Sequence, residues 1–148
     1  MAKLDHIDEK GKISMFDASQ LPVVMQEAHA SGFIHMKPET INLIKENEMQ
    51  QGEVITLAEI SGMRAAGMTS QLIPLIHNVP LTRVDVKAYV YPNGIEVKSS
   101  VKSVCRTGLE LEALQSVTAA LLTIYEICKS ADNTMTLSEV KLLYKSRE

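Results

Sequence analysis

Tryptophan is absent from the sequence, and aromatic residues make up only 4% of it. The hydrophobic core must therefore be built from aliphatic residues and from methionine, of which there are eight, and methionine packs adaptably. The two cysteines, Cys105 and Cys128, form no C-x-x-C pair, and no cysteine or histidine lies at metal-ligand spacing from them. We therefore expect two reduced, partly buried cysteines, no metal site and no bound cofactor.

Clustered positive charge and long apolar runs are also missing. The chain has 15 basic and 18 acidic residues, a net charge of −3, and no basic run, which excludes a strongly basic nucleic-acid-binding surface. The longest apolar run, residues 117–125, is well short of the ~20 residues that span a bilayer. The first residues lack the apolar segment of a signal peptide. The sequence thus predicts a cytoplasmic protein that binds neither nucleic acid nor membrane.

The length and composition fit one folded domain. At 148 residues and 45% hydrophobic content, the chain is long enough to bury a core without disulfides or metals. Residues 1–20 are polar and predict a loosely attached N-terminal arm. The remainder, residues 21–148, then forms a single α+β domain.

Period-2 patterns and turn residues predict an antiparallel sheet. Alternation on both sides of Pro92-Asn93-Gly94 indicates a β-hairpin, because Asn-Gly readily adopts tight turns. Gly32 interrupts another strand-forming stretch and predicts a bend or bulge there. The predicted strands lie within residues 22–36, 82–91, 95–102 and 136–145.

Helical spacing predicts three helices. Lys37-Pro38-Glu39-Thr40 is typical of a helix start, and we expect the buried side of this first, short helix to consist of Ile41, Leu43, Ile44 and Met49. Gln51-Gly52-Glu53 is expected to break the pattern before a second helix over residues 54–68. Small residues in that second helix allow another backbone to approach closely, or leave space beside a ligand. The third and longest helix covers residues 109–131 and has two apolar stripes, so we expect the sheet to cover one side and a neighbouring subunit the other.

Between the second helix and the hairpin lies an apolar segment with two prolines, residues 72–80. Proline cannot pair within a central strand, so we expect a buried, partly extended connection that displays His77. A histidine in such a setting is either a hydrogen-bonded core residue or a functional one.

Charged residues on the long apolar helix are the strongest functional signal. Glu126 and Lys129 are three residues apart and share a helical face, either as an exposed ion pair or as a pair held in a cleft. Their apolar neighbours favour the cleft. At the helix entrance, Glu110 and Glu112 either complement the helix dipole or serve a site, and Thr107-Gly108 offers backbone N–H groups to an anion.

These motifs together resemble the MoaC family, the cyclic pyranopterin monophosphate synthases of molybdenum-cofactor biosynthesis. The resemblance runs nearly end to end and is most specific in the second half of the chain. The matching blocks are His6-Ile7 with Met15-Phe16-Asp17, Gln51-Gly52-Glu53-Val54, residues 60–66, Leu72-Ile73-Pro74-Leu75-Ile76-His77, residues 107–114 and residues 120–129.

The resemblance implies a ferredoxin-like antiparallel sheet packed by helices, with the long helix at a subunit interface, and dimers assembled as a trimer of dimers. It also implies conversion of a cyclised dihydroguanosine triphosphate into cyclic pyranopterin monophosphate, with release of pyrophosphate. Lys129 and Glu126 would then be catalytic, shielded from bulk water in a crevice that two copies build, with the pKa of the lysine lowered by desolvation. The implied substrate-binding residues are His77, Glu110, Glu112, Thr107, Gly108, Asp17 and Lys145.

The sequence departs from the family pattern at three positions where a basic residue is usual, namely Gln26, Gln51 and Gly67. Cations expected to hold a triphosphate are therefore missing unless other basic residues replace them; the candidates are Lys45, Arg64 and Arg106. An alternative function follows from these departures: a catalytically silent relative that keeps the fold and binds a nucleotide or a partner protein. A third interpretation is a small regulatory module that binds an unspecified metabolite.

Overall fold

The computed structural model describes residues 4–46 and 48–148. Its elements, in chain order, are β1 (Val24–His35), α1 (Pro38–Glu46), α2 (Glu48–Gly67), α3 (Thr69–Leu72), β2 (Arg83–Tyr91), β3 (Gly94–Cys105), α4 (Glu110–Cys128) and β4 (Thr136–Arg147). The strands form one antiparallel sheet in the order β2-β3-β1-β4. This β-α-β-β-α-β arrangement confirms the predicted ferredoxin-like α+β fold.

The predicted hairpin and bulge are both confirmed. Strands β2 and β3 pair from Tyr91↔Gly94 onward, and their side chains alternate between the helix-covered and the open face. The register between β1 and β4 shifts between Ser31 and Phe33, at Gly32. A Cβ on Gly32 would lie 2.8 Å from Val117 Cγ1, so the glycine also lets α4 pack closely on β1.

Two predictions about the first helices are wrong. Helix α2 begins at Glu48 and runs through Gly52, because one interior glycine costs only ~1 kcal/mol relative to alanine and the buried residues from Val54 onward hold the helix. Leu43, expected to be buried in α1, is 55% exposed. Met49, expected to join it in the core, has a side chain outside the described part of the chain. The start at Pro38 is confirmed.

The small residues of α2 serve helix–helix contact. A Cβ on Gly62 would lie 2.8 Å from the backbone oxygen of Ser116 in α4, and the Thr123 hydroxyl donates to Ser61 Oγ at 2.8 Å. Of the two expected roles, close approach of another backbone is therefore the one observed.

The apolar segment over residues 72–80 is more exposed than predicted. Leu72 and Ile73 are exposed, whereas Val79 is buried. Because α2 and α4 already cover one face of the sheet, this segment runs over the surface, as connections usually do.

Helix α4 buries one side only. Ala113, Val117, Ala120, Leu121 and Ile124 are fully buried, whereas four other apolar residues of the helix, Leu111, Leu122, Tyr125 and Ile127, are exposed. Among the described helices, α4 alone has the length and composition of a membrane span. The core helix of a folded domain passes the same test, and α4 packs on the sheet, so this is weak support for insertion.

In the N-terminal segment, Ile7 forms an isolated bridge with Ile13 and Ala18 is buried. The division of the chain between residues 20 and 21 stays a prediction.

Candidate functional site

A cleft of ≈ 400 Å³ opens at the N-terminal end of α4. It brings together the segment that links β3 to α4, the residues that follow α3, the N-terminal segment and the end of β4. Five of the residues expected to bind substrate line it, namely His77, Thr107, Gly108, Glu110 and Glu112.

The β3–α4 link shapes one wall of this cleft. Helix α4 begins without a side-chain cap, because its N-cap residue is Leu109, and its first turn carries Glu110 and Glu112. Gly108 makes room for the Glu110 side chain: a Cβ there would lie 2.9 Å from Glu110 Cδ. Glu110 can therefore lie back over the link and share the cleft with Glu112.

The two carboxylates of this wall have different environments. Glu112 is buried, and loss of water raises its pKa, with a further increase from the neighbouring charge of Glu110. Glu110 is half-exposed, and its Oε1 lies 3.9 Å from Lys145 Nζ. The site thus combines a carboxyl that holds its proton more tightly than usual with one that faces a lysine.

Asp17 does not itself line the cleft, but it follows Phe16, which does, and it lies close enough to His77 for the two side chains to interact electrostatically. Asp17 is exposed and accepts a hydrogen bond from Ser19 N–H at 2.9 Å. Its pKa is lowered mainly by this bond and in smaller part by His77. His77 is half-buried and follows Leu75, which has a φ of +67°. A bulky residue in the left-handed region is unusual and often marks a functional segment.

The structure adds residues that the sequence did not single out. Asp5, His6, Phe16 and Arg147 line the cleft, as does Arg106, which the sequence offers only as a substitute cation. Arg147 had a usable signal, since it lies two residues beyond Lys145 and strand alternation puts both on one face of β4. The only signal for His6 and Phe16 was their place in the blocks that match the family, and Asp5 had none, because only the tertiary structure brings these residues to this end of α4.

Glu126 and Lys129 do form an ion pair, but away from the cleft. Glu126 Oε2 lies 2.7 Å from Lys129 Nζ, and the side chains are 70% and 55% exposed. The hydrogen bond and charge of Glu126 raise the pKa of Lys129, so the expected lowering by desolvation does not occur in the single chain. At 1.5 Å per residue, Glu126 is roughly 21 Å along the helix from Glu112.

The three positions at which a basic residue is usual in the family, namely Gln26, Gln51 and Gly67, have different surroundings. Gln26 is buried, and its Nε2 donates to Cys105 O at 3.3 Å. Gly67 ends α2, with no atom within 4 Å of the place a Cβ would take. The Gln51 side chain lies outside the described part of the chain.

Within the described residues, no group of three or more histidine, cysteine, aspartate or glutamate residues is arranged to hold a metal ion.

Comparison with known proteins gives full-length matches. A sequence model of the MoaC family matches residues 15–147. A cyclic pyranopterin monophosphate synthase of Thermomicrobium roseum is 38% identical over 148 residues, covering 99% of this chain and 89% of that protein. A synthase of the same name from Thermoanaerobacter pseudethanolicus is 41% identical over 145 residues, covering 97% and 92%.

A molybdenum cofactor biosynthesis bifunctional protein of Chlorobaculum tepidum is 41% identical over 141 residues, covering 95% of this chain and 45% of that longer protein. The family match and the full-length relatives agree with each other and with the motifs of the β3–α4 link. The chain belongs to the MoaC family.

Proposed function

We propose that this protein is a cytoplasmic cyclic pyranopterin monophosphate synthase of molybdenum-cofactor biosynthesis. It converts a cyclised dihydroguanosine triphosphate into cyclic pyranopterin monophosphate and releases pyrophosphate. The observation that carries the proposal is the cleft at the start of α4, where His77, Glu110 and Glu112 converge with the Thr107-Gly108 link. The names of the full-length relatives support the same reaction.

The chemistry of the cleft suits this rearrangement. Opening and reclosing the rings of a purine-derived substrate needs groups that give and take protons. Glu112, with its raised pKa, is such a group, and His77 is a second. Expelling pyrophosphate while a cyclic phosphate forms needs cations near the developing negative charge, and Lys145 lies at this end of the molecule beside Glu110.

A second copy of the chain completes the site in this proposal. Lys129 is the proton carrier and Glu126 orients it, but in one chain both are roughly 21 Å along α4 from Glu112. Leu122 and Tyr125, on the same face of α4 as this pair, are exposed. A two-fold dimer that covers this surface and brings the pair into the partner's cleft unites the two ends of the helix, and three such dimers form the hexamer.

A pyrophosphate assay tests the activity. Purified protein is incubated with the cyclised triphosphate, and pyrophosphate release is followed beside a protein-free control. Release far above the uncatalysed rate is the expected result. If folded protein releases pyrophosphate no faster than the protein-free control, the proposal is contradicted. That result would favour the catalytically silent relative that the neutral residues at positions 26, 51 and 67 suggest.

A further inference from the structure

Two arginines line the cleft. Arg106 follows the end of β3, and Arg147 is the last residue of β4. Both are exposed, and in the described part of the chain neither has a carboxylate oxygen within 4.0 Å. Their guanidinium groups are therefore available to an anionic ligand.

Strand pairing fixes the backbone positions from which the two arginine side chains extend. Strands β3 and β4 flank β1, and the register pairs Cys105 with Val24 and Arg147 with Gln26. Ser103 is the β3 residue opposite Gln26, and Arg106 lies three residues beyond it. With about 4.8 Å between neighbouring strands and about 3.3 Å per residue along them, the two arginines leave the backbone roughly 14 Å apart, on either side of the beginning of β1. Long side chains at that separation can reach a single group between them.

The backbone also directs Arg147 toward the helix-covered side of the sheet. Lys145 pairs with Ala28, a fully buried residue of β1, and Arg147 pairs with the buried Gln26. Glu148 N–H donates to Met25 O at 2.8 Å, which extends the pairing past Arg147. The backbone of Arg147 is thus part of a paired strand, and its side chain places positive charge directly opposite the neutral Gln26.

We infer that Arg106 and Arg147 form a two-arginine clamp that holds the phosphate groups of a polyphosphate ester in this cleft. Guanidinium groups bind phosphate oxygens in bidentate fashion. The uncapped first turn of α4 adds backbone N–H groups on the same side, where the helix dipole favours an anion. The inference rests on the proposed function for the identity of the ester, but not for the phosphate binding itself.

Binding of inorganic triphosphate to the full-length protein, measured by isothermal titration calorimetry, tests the clamp. Arg147→Gln and Arg106→Gln should each weaken triphosphate binding roughly 10- to 100-fold, and Arg147→Lys should restore part of the loss, since it keeps the charge but not the bidentate geometry. Arg83→Gln is the matched control: Arg83 is an exposed arginine of β2 that pairs with Asp85, and its loss should change affinity less than about twofold, as expected for a surface pair.

The outcomes separate the clamp from the proposed reaction. Unchanged triphosphate affinity in folded Arg147→Gln, or no triphosphate binding by the unmodified protein at millimolar concentration, would overturn the clamp even if pyrophosphate is released normally. Arginine-dependent triphosphate binding without turnover would uphold the clamp and overturn the reaction. If Arg147→Gln fails to fold, the triphosphate affinities of Arg106→Gln and Arg147→Lys test the clamp in its place. In active protein, loss of either arginine should raise KM more than it lowers kcat.

Discussion

At the scale of single residues, Glu112 is the clearest case of a group whose position opposes stability. It is 5% exposed, and burial raises its pKa above the ordinary 4.5. A carboxyl with a higher pKa in the folded state binds its proton more tightly when the protein is folded. Its contribution to stability is therefore present below about pH 4.5 and is lost as pH rises through the folded-state pKa.

The first prediction is that Glu112→Gln stabilises the protein near neutral pH while it abolishes pyrophosphate release. Glutamine keeps the shape of glutamate but has no charge to desolvate, so the melting temperature at pH 7 should rise and the gain should vanish near pH 4. Thermal melts of both proteins between pH 4 and 8 measure the difference. A variant that melts below the unmodified protein at pH 7 would contradict the assigned cause of the pKa shift.

Asp132, which the sequence gave no reason to single out, does structural work. Its carboxylate accepts hydrogen bonds from Lys37 N–H and the Thr40 hydroxyl at 2.9 Å each. It also accepts bonds from Thr134 N–H at 2.8 Å and the Thr134 hydroxyl at 2.6 Å. The hydrogen bond from the Thr134 hydroxyl, followed by those from the backbone and Thr40, holds the pKa of Asp132 well below its ordinary value. The residue ties the start of α1 to the segment that precedes β4.

The second prediction is that Asp132→Ala lowers the free energy of unfolding by about 2–4 kcal/mol, because several donors lose their acceptor in a buried setting. In the unmodified protein the depressed pKa makes this contribution fully present above about pH 4, and it is lost as pH falls further. Urea unfolding at pH 7 and at about pH 2 measures both effects. Asp85→Ala removes an exposed partner of Arg83 and should cost at most about 1 kcal/mol. Equal losses in the two variants would contradict the role given to Asp132.

At the scale of whole elements, the packing of α2 on α4 depends on a glycine. Gly62 faces the Ser116 backbone, whereas Gly67 at the end of the same helix faces open space. Neither glycine has a positive φ. The two positions thus share a helix and differ in what an added methyl group would meet.

The third prediction is that Gly62→Ala destabilises the protein by about 1–3 kcal/mol, since a backbone atom cannot give way as a side chain can. Gly67→Ala should be neutral or stabilising by up to ~1 kcal/mol, because alanine has the higher helix propensity. Thermal melts of the two variants check the contrast. A stabilising Gly62→Ala would mean that the two helices lie farther apart.

At the scale of the whole molecule, the proposed active site has parts at both ends of α4. In a two-fold dimer each site takes one part from each chain. Two variants that are inactive for different reasons can then complement each other, which no single-chain site allows.

The fourth prediction is that co-expressed Lys129→Ala and Glu112→Gln chains recover about one quarter of the activity of the unmodified protein. Random pairing makes half of the dimers mixed, and each mixed dimer has one intact site of two. The co-expressed oligomers are purified without selection for mixed pairs, and pyrophosphate release is measured beside each variant alone. Mixed oligomers that stay inactive would place the pair outside the partner's cleft. Activity in Lys129→Ala alone would remove that lysine from the mechanism.

Local patterns were enough for most of the elements. The period-2 alternation around Asn93-Gly94, the proline-led start of α1 and the apolar stripes of α4 predicted those elements because each pattern reflects contacts within one element or one turn. The break expected at Gly52 failed for the opposite reason: burial of α2 against its neighbours outweighs the preference of a single glycine.

By itself, the sequence determined the α+β class, the hairpin, the bulge at Gly32 and the family motifs, all of which are written in residues close together along the chain. Only the tertiary structure decided that Arg147 lies opposite Gln26, that Asp132 holds the start of α1, and that Glu126 and Lys129 lie far from the cleft in one chain. The register of distant strands and the length of a helix fix these relations. A pattern of neighbouring residues cannot predict these relations, because they arise only when the four strands pair and α4 packs across the sheet.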